Sequence, residues 1–337
     1  KLCLSELIRK LKAISSLKIR REFNCEIRHL LLANASRPKV TASFLSATVL
    51  QLKSSNNTSE INDRTNIRPA AIHPRAHARG IPRHLLKRNG KWFAPRGATP
   101  TTHILKMPMG RIGPMQADFS DSVDNEWLCL KLGNALGLDY ANATIEKFED
   151  QRVLVVERFD RCLSADHKRI LRLPQEDFCQ ALGLPPSLKY ESDGGPGASN
   201  VLAVLRQSAQ PQRELETFLL SLVYFWLLRA TDGHAKNYSI MLLSQNRYRL
   251  AKLYDIVSTW PAVGNGPHQL KPQQLKFAMA LEGKRRHYRM ERISVHNFAQ
   301  TAAAAGLSER HISALIEDFL KKVPSACEAL SNTLPKD

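Results

Sequence analysis

Thr231-Asp232-Gly233-His234-Ala235-Lys236-Asn237, with Tyr254-Asp255-Ile256 downstream, supplies a carboxylate, then an amide after four intervening residues, then a second carboxylate. The first can take a proton from an attacking hydroxyl, and the amide and second carboxylate can together hold a divalent cation. Tyr238 to Leu243 and Tyr248 to Tyr254 are β-rich and are joined by Ser244-Gln245-Asn246-Arg247, which reads as a hairpin. A hairpin returns the chain to its starting end, so Asn237 and Asp255 are expected side by side. On the other flank, Glu214 to Ala230 is apolar on nearly all sides (Leu215, Phe218, Leu219, Leu222, Val223, Phe225), which predicts a buried helix delivering Asp232 from a rigid support.

The gap from Asp232 to Asn237 is that of H-R-D-x-x-x-x-N in protein kinases, where a catalytic Asp precedes a metal-binding Asn and a metal-binding Asp follows later. The DFG form of that late Asp is missing, because the chain reads Tyr254-Asp255-Ile256. Two common residues at a fixed gap also recur by chance. Spacing alone is equally compatible with a polar helix-to-strand loop in which Asp232 is a turn residue and His234 a satisfied loop histidine.

Longer strings add to the spacing. Thr231 to Ser239 is followed by Tyr254-Asp255-Ile256-Val257-Ser258, and is preceded by Thr102-His103-Ile104-Leu105-Lys106, Asn125-Glu126 and Val156-Glu157-Arg158-Phe159-Asp160-Arg161. Gln175 to Gly183, Tyr190-Glu191 and Gly194-Gly195-Pro196 complete the series. Together they resemble the HipA family of serine/threonine kinases, the toxin halves of bacterial toxin-antitoxin modules, from about Leu85 to the end, roughly three quarters of the chain.

The resemblance implies a two-lobed α+β protein-kinase-like fold, with an antiparallel sheet in the upper lobe and a mostly helical C-terminal lobe. It divides the chain into an upper nucleotide-binding lobe over 85–160 and a helical catalytic lobe over 161–337. It implies ATP and Mg²⁺ as cofactors, a protein hydroxyl as phosphoryl acceptor, a DNA-binding antitoxin as partner with DNA reached only through it, and a cytoplasmic location. On that resemblance Asp232 accepts or orients the substrate proton, Asn237 and Asp255 hold Mg²⁺, and Lys106 grips the ATP phosphates. His234 and Lys236 stabilise the transferring phosphoryl. Glu157, Phe159 and Asp160 form the hinge touching adenine, and His234 and Asp255 also face the nucleotide.

One departure bears on activity. The family carries a Ser-x-Ala-Gly-Ala-Gln-x-Lys loop before the strand resumed at Leu85, and Arg75 to His84 stand in its place with a single glycine. A phosphate-covering loop needs backbone amides and small residues close to the phosphates. A catalytically impaired relic or binding scaffold is therefore the alternative function. The abrupt loss of resemblance predicts that residues 1–84 come from a shifted frame or a rearranged start. Charge divides at the same place: residues 1–97 hold 20 Lys and Arg against 5 Asp and Glu, leaving 29 against 26 for the rest. Lys1 to Ala35 has apolar residues at helical spacing, and 54–84 reads as linker.

The remaining segments are ordered. Leu85 to Lys87 and Lys91 to Ala94 flank Arg88-Asn89-Gly90, a tight-hairpin signal. Thr101 to Met107 reads as a strand and Asp124 to Leu138 as a helix, on which Glu126 either pairs with Lys106 or complements the helix dipole. Ala143 to Phe148 and Arg152 to Glu157 form a further strand pair. Pro174-Gln175-Glu176-Asp177 is expected in a helix first turn, with Gly183 at the helix end. Phe298 to Ala305 and Ser308 to Phe319 read as two helices. They fit either an αα-hairpin, with Ile312, Leu315, Ile316 and Phe319 as its core face, or a helix-turn-helix DNA-binding module. The six cysteines lack any C-x-x-C spacing, which argues against a zinc site or disulfide frame. No apolar run approaches the ~20 residues that span a bilayer.

Overall fold

The structure, a computed structural model, describes residues 84–148, 151–283 and 285–331. The expectations for the basic helix, the linker and the segment replacing the phosphate loop lie outside these residues, His84 excepted, as do Glu149 and Asp150 of the hairpin turn.

The chain enters as β1 (His84–Arg88) and β2 (Lys91–Phe93), a hairpin whose turn residues Asn89 and Gly90 have φ of 50° and 73°. Those left-handed values are what a two-residue turn matching strand twist requires, so Asn-Gly is the expected pair. β3 (His103–Lys106) returns along β1, and β4 (Gly110–Ile112) with β5 (Ala117–Phe119) makes a separate two-stranded ribbon. Next comes α1 (Ser122–Ala135), then β6 (Ala143–Phe148) and β7 (Gln151–Glu157). Five strands form an antiparallel sheet in the order β2-β1-β3-β7-β6. β7 is buried on both faces: Val153 and Val155 join Leu85, Leu105 and Phe148 on one side, while Leu154 and Val156 face the main core with α1. Its uninterrupted Val-Leu-Val-Val run reflects that double burial.

Two short strands, β8 (Arg161–Leu163) and β9 (Ile170–Arg172), lead to β10 (Gln175–Asp177) and α2 (Phe178–Ala181). Here the structure corrects the sequence reading. Gln175 to Asp177 is a strand pairing with Ser239 to Met241, and the helix begins only at Phe178. Asp177 caps it by accepting from the Gln180 backbone N–H while the Gln180 side chain accepts from Asp177 N–H, so the acid serves as cap rather than first-turn residue.

α3 (Ala198–Leu205) and α4 (Pro211–Leu227) follow; Phe218, Leu219, Leu222 and Val223 of α4 are at most 1% exposed and centre the main core. β11 (Ser239–Leu242) and β12 (Tyr248–Leu250) are the expected hairpin, with β10 as third strand. β13 (Lys276–Leu281), β14 (His287–Arg289), α5 (Val295–Ala304) and α6 (Glu309–Ser331) complete the chain. Ile312, Ile316 and Phe319 are buried in the main core, which supports the αα-hairpin over a DNA-reading helix. Ser308 Oγ accepts from the His311 backbone N–H at 3.3 Å, as its capping position predicts.

Candidate active site

α4 ends at Leu227, whose carbonyl accepts from Trp260 Nε1 at 2.9 Å, and the next two carbonyls are also satisfied from outside the helix: Ser258 Oγ donates to Leu228 O and Thr259 Oγ1 to Arg229 O, each at 2.7 Å. The chain then passes Gly233, where a Cβ would stand 2.7 Å from the buried Phe225 ring. Only glycine lets the loop lie so close against its own helix. Asp232 emerges just before that contact with its side chain 65% exposed. A single 3-10 turn over Ala235–Asn237 then leads into β11.

Asn237 is 2% exposed. Its Nδ2 donates to Asp232 O at 2.7 Å and to Asp255 O at 3.4 Å, tying both ends of the hairpin together. Because both partners are carbonyls, the amide orientation is determined by the network. Oδ1 is thereby turned the other way, buried and without a hydrogen-bond partner. That buried open oxygen, on a residue whose Nδ2 reaches the Asp255 backbone, could serve with the Asp255 carboxylate as oxygen ligands to a Mg²⁺ completed by substrate phosphates. Among the described residues no group of three or more His, Cys, Asp or Glu could hold a metal unaided.

Asp255 has φ of 59°, a left-handed conformation in which Asp is more often found than most non-glycine residues. Its Oδ1 lies 2.5 Å from Lys106 Nζ, and Lys106 lies 2.5 Å from Glu126 Oε1. The two explanations left open for Glu126 are thus separated: it pairs with Lys106. α1 is itself joined to the Asp255 loop, for Asn125 Nδ2 donates to Ser258 O and Ser258 N to Asn125 Oδ1, both at 2.9 Å. Burial alone depresses an ammonium, but Asp255 and Glu126 outweigh it and hold the Lys106 pKa above its ordinary value. Burial pushes the Glu126 carboxyl up to about 7 against the pull of Lys106. At Asp255 burial raises and Lys106 lowers; the lysine prevails and the pKa falls.

His234 is 4% exposed, and burial lowers its pKa despite nearby Asp232, favouring the neutral ring. Its Nε2 is 3.7 Å from Asp232 Oδ1 and its Nδ1 is buried without a partner. Lys236 does not join this group. Its Nζ is 2.6 Å from Asp177 Oδ2 with both side chains at most 6% exposed.

At the end of β7, Asp160 is gripped by Arg158 (Nε 3.0 Å, Nη2 2.6 Å) and Arg161 (Nη1 2.6 Å), and Glu157 Oε2 accepts from Asn142 at 3.2 Å. The main chain here is tied down as well, with Glu157 N donating to Asn142 O at 2.8 Å and Arg158 N to Thr102 O at 2.9 Å. Phe159 packs on the Tyr254 ring at 5.7 Å, one residue before Asp255. The sequence reading missed the partners of this centre. Tyr190 donates to Asp232 Oδ1 at 2.6 Å, and Tyr254 donates to Lys236 O at 2.9 Å. Both tyrosines stood in the resembling strings, the only signal available for them.

A model of the HipA-like C-terminal domain matches residues 70–327, reaching upstream of Leu85. The chain belongs to this family. The Sinorhizobium fredii protein named "Putative kinase Y4mE" is 32% identical over 72% of the chain and 54% of its own length. The Shewanella oneidensis serine/threonine-protein kinase toxin HipA is 27% identical over 78% of the chain and 59% of its own. The chain thus spans little more than half the length of these curated relatives. The solved complex of Shewanella oneidensis HipA with HipB and operator DNA superposes with a TM-score of 0.63 at 22% identity, covering 81% of this chain and 63% of that one. The α+β kinase-like fold expected from the sequence is therefore found.

Proposed function

We propose that this chain is a Mg·ATP-dependent protein serine/threonine kinase acting as the toxin of a toxin-antitoxin module. The observation that supports it most is that Lys106 holds the Glu126 and Asp255 carboxylates while Asn237, its Oδ1 left open, ties Asp255 to the loop that exposes Asp232. Bound ATP and Mg²⁺ would supply the phosphoryl group and the charge that stabilises its transfer. Asn237 Oδ1 and Asp255 hold the cation, and Lys106, fixed by Glu126, neutralises phosphate charge. Asp232 receives the proton of the acceptor hydroxyl, and the neutral His234 can donate a hydrogen bond beside it. The segment Glu157 to Asp160 borders adenine, with Phe159 as its wall. Lys236 acts through Asp177 to hold the loop in place. The work is mostly alignment and electrostatics.

The Shewanella HipA complex holds HipB and operator DNA, and this supports a DNA-binding antitoxin as partner, with DNA reached through it. Among the described residues no helix is long and apolar enough to cross a membrane. The impaired-relic reading keeps one specific support, the replacement of the phosphate-loop pattern by Arg75 to His84. Transfer of radiolabelled phosphate from ATP to protein, with Mg²⁺ or with chelator, tests the proposal. Mg²⁺-dependent labelling that disappears in Asp232→Asn supports it; an unlabelled extract with every variant leaves the relic.

A further inference from the structure

The segment between α2 and α3 is anchored, and what it anchors is a phenol. A 3-10 turn over Glu191–Asp193 closes on Gly194 (φ 91°), and Gly195 N donates to Tyr190 O at 2.9 Å. A Cβ at Gly195 would stand 2.1 Å from Leu188 O, so the crossing is possible only for glycine. Glu191, 7% exposed, accepts from Ala280 N on β13 at 2.6 Å and from Arg286 at 2.7 Å. These ties hold the residue next to Tyr190 against a different part of the fold.

Tyr190 then meets the catalytic loop in two ways. Its hydroxyl donates to Asp232 Oδ1 at 2.6 Å, and its ring meets His234 edge-on with centroids 5.0 Å apart. His234 Nε2, at 3.7 Å from the same oxygen, is beyond hydrogen-bond range. Asp232 is otherwise exposed, and an exposed carboxylate samples several rotamers unless a bond holds it. The phenol supplies that bond from a segment that is itself fastened.

We propose that Tyr190 is a positioning residue for phosphoryl transfer: its hydroxyl locks one oxygen of Asp232 and thereby presents the other to the acceptor hydroxyl. This rests on the reading of Asp232 as the proton acceptor. The Glu191 anchor makes the phenol a permanent fixture that substrate does not displace, so the acceptor approaches the free carboxylate oxygen beside the tyrosine ring.

The test compares the full chain with Tyr190→Phe, Asp232→Asn and meta-fluorotyrosine at 190. Phe keeps the ring and its contact with His234, so folding and ATP affinity stay as they are while kcat falls about a hundredfold, the scale of a misplaced reacting group. Fluorotyrosine, which keeps the hydroxyl, restores kcat. If Asp232→Asn retains turnover, the proton-acceptor reading itself fails. If Asp232→Asn is inactive and Tyr190→Phe turns over normally, the Tyr190 proposal alone fails. Fluorine NMR reads the contact without turnover: the fluorophenol should ionise above free fluorotyrosine and move down in Asp232→Asn. The free value in both proteins would overturn the proposal even in a chain with no measurable activity.

Discussion

Lys106 on β3 and Asp255, 149 residues later, meet with Nζ and Oδ1 2.5 Å apart, while the same ammonium holds Glu126 on α1. The sheet, α1 and the loop after β12 are thus joined at one charge. Two carboxylates share one lysine, and Glu126 is the more buried of them.

Lys106→Met therefore affects both stability and binding. Removing one partner of a buried pair costs ~3–5 kcal/mol, but Lys106 is 29% exposed and solvent screens part of the interaction, so about 2 kcal/mol is expected. Denaturant unfolding should show this loss above pH ~7, where Glu126 is ionised, and a smaller one below it, where the carboxyl is neutral.

Glu126 also sets a pH dependence in the nucleotide-free protein. Its carboxyl is raised by burial from 4.5 to about 7, so the folded state holds a proton that the unfolded chain has released. Its contribution is greatest below pH 4.5 and is lost as pH rises to about 7. Asp121, raised by burial from 3.8 to about 6, acts in the same sense at lower pH. Unfolding midpoints should fall with pH in the wild type and flatten between about 6 and 7 in Glu126→Gln. Equal slopes would contradict the assignment.

Gly233→Ala places a methyl 2.7 Å from the Phe225 ring, which is 3% exposed and has no room to retreat. Overpacking of this kind costs about 1–3 kcal/mol. Because the strain falls between Asp232 and Asn237, phosphoryl transfer should drop by more than the loss of folded protein explains, as comparison of turnover with circular dichroism would reveal.

Lys236 and Asp177 form a buried pair, so each single change, Lys236→Met or Asp177→Asn, should destabilise by about 3–5 kcal/mol. The double variant should lose less than the two singles together, with a coupling of about 1–3 kcal/mol in a double-mutant cycle. Additive losses would mean that the pair does not hold the loop.

What the sequence revealed of this site, and what it concealed, follows from the range of each signal. Asn237 and Asp255 could be brought together on paper because a hairpin between them is a local inference with one geometric outcome. The burial of α4 was equally plain, since Leu215 to Leu227 is apolar on most faces. Glu126 stayed ambiguous because an acid near a helix start has two physical reasons to be there. The Lys236 partner had no local signal, because a loop position does not say which way a side chain faces and Asp177 lies 59 residues away. Asp177 was in turn placed in a helix first turn because its strand exists only by pairing with β11. The Tyr190 contact with Asp232, across 42 residues, had no local signal.

The central claim is that Asp255 and Asn237 together form a cation site serving ATP, and calorimetric titration of the full chain with ATP, in Mg²⁺ and in chelator, tests it most directly. Wild-type protein should bind about tenfold or more tightly with Mg²⁺, and that increment should vanish in Asp255→Asn and shrink in Asn237→Ala. Equal affinity with and without Mg²⁺, or an increment that survives in Asp255→Asn, would contradict the account.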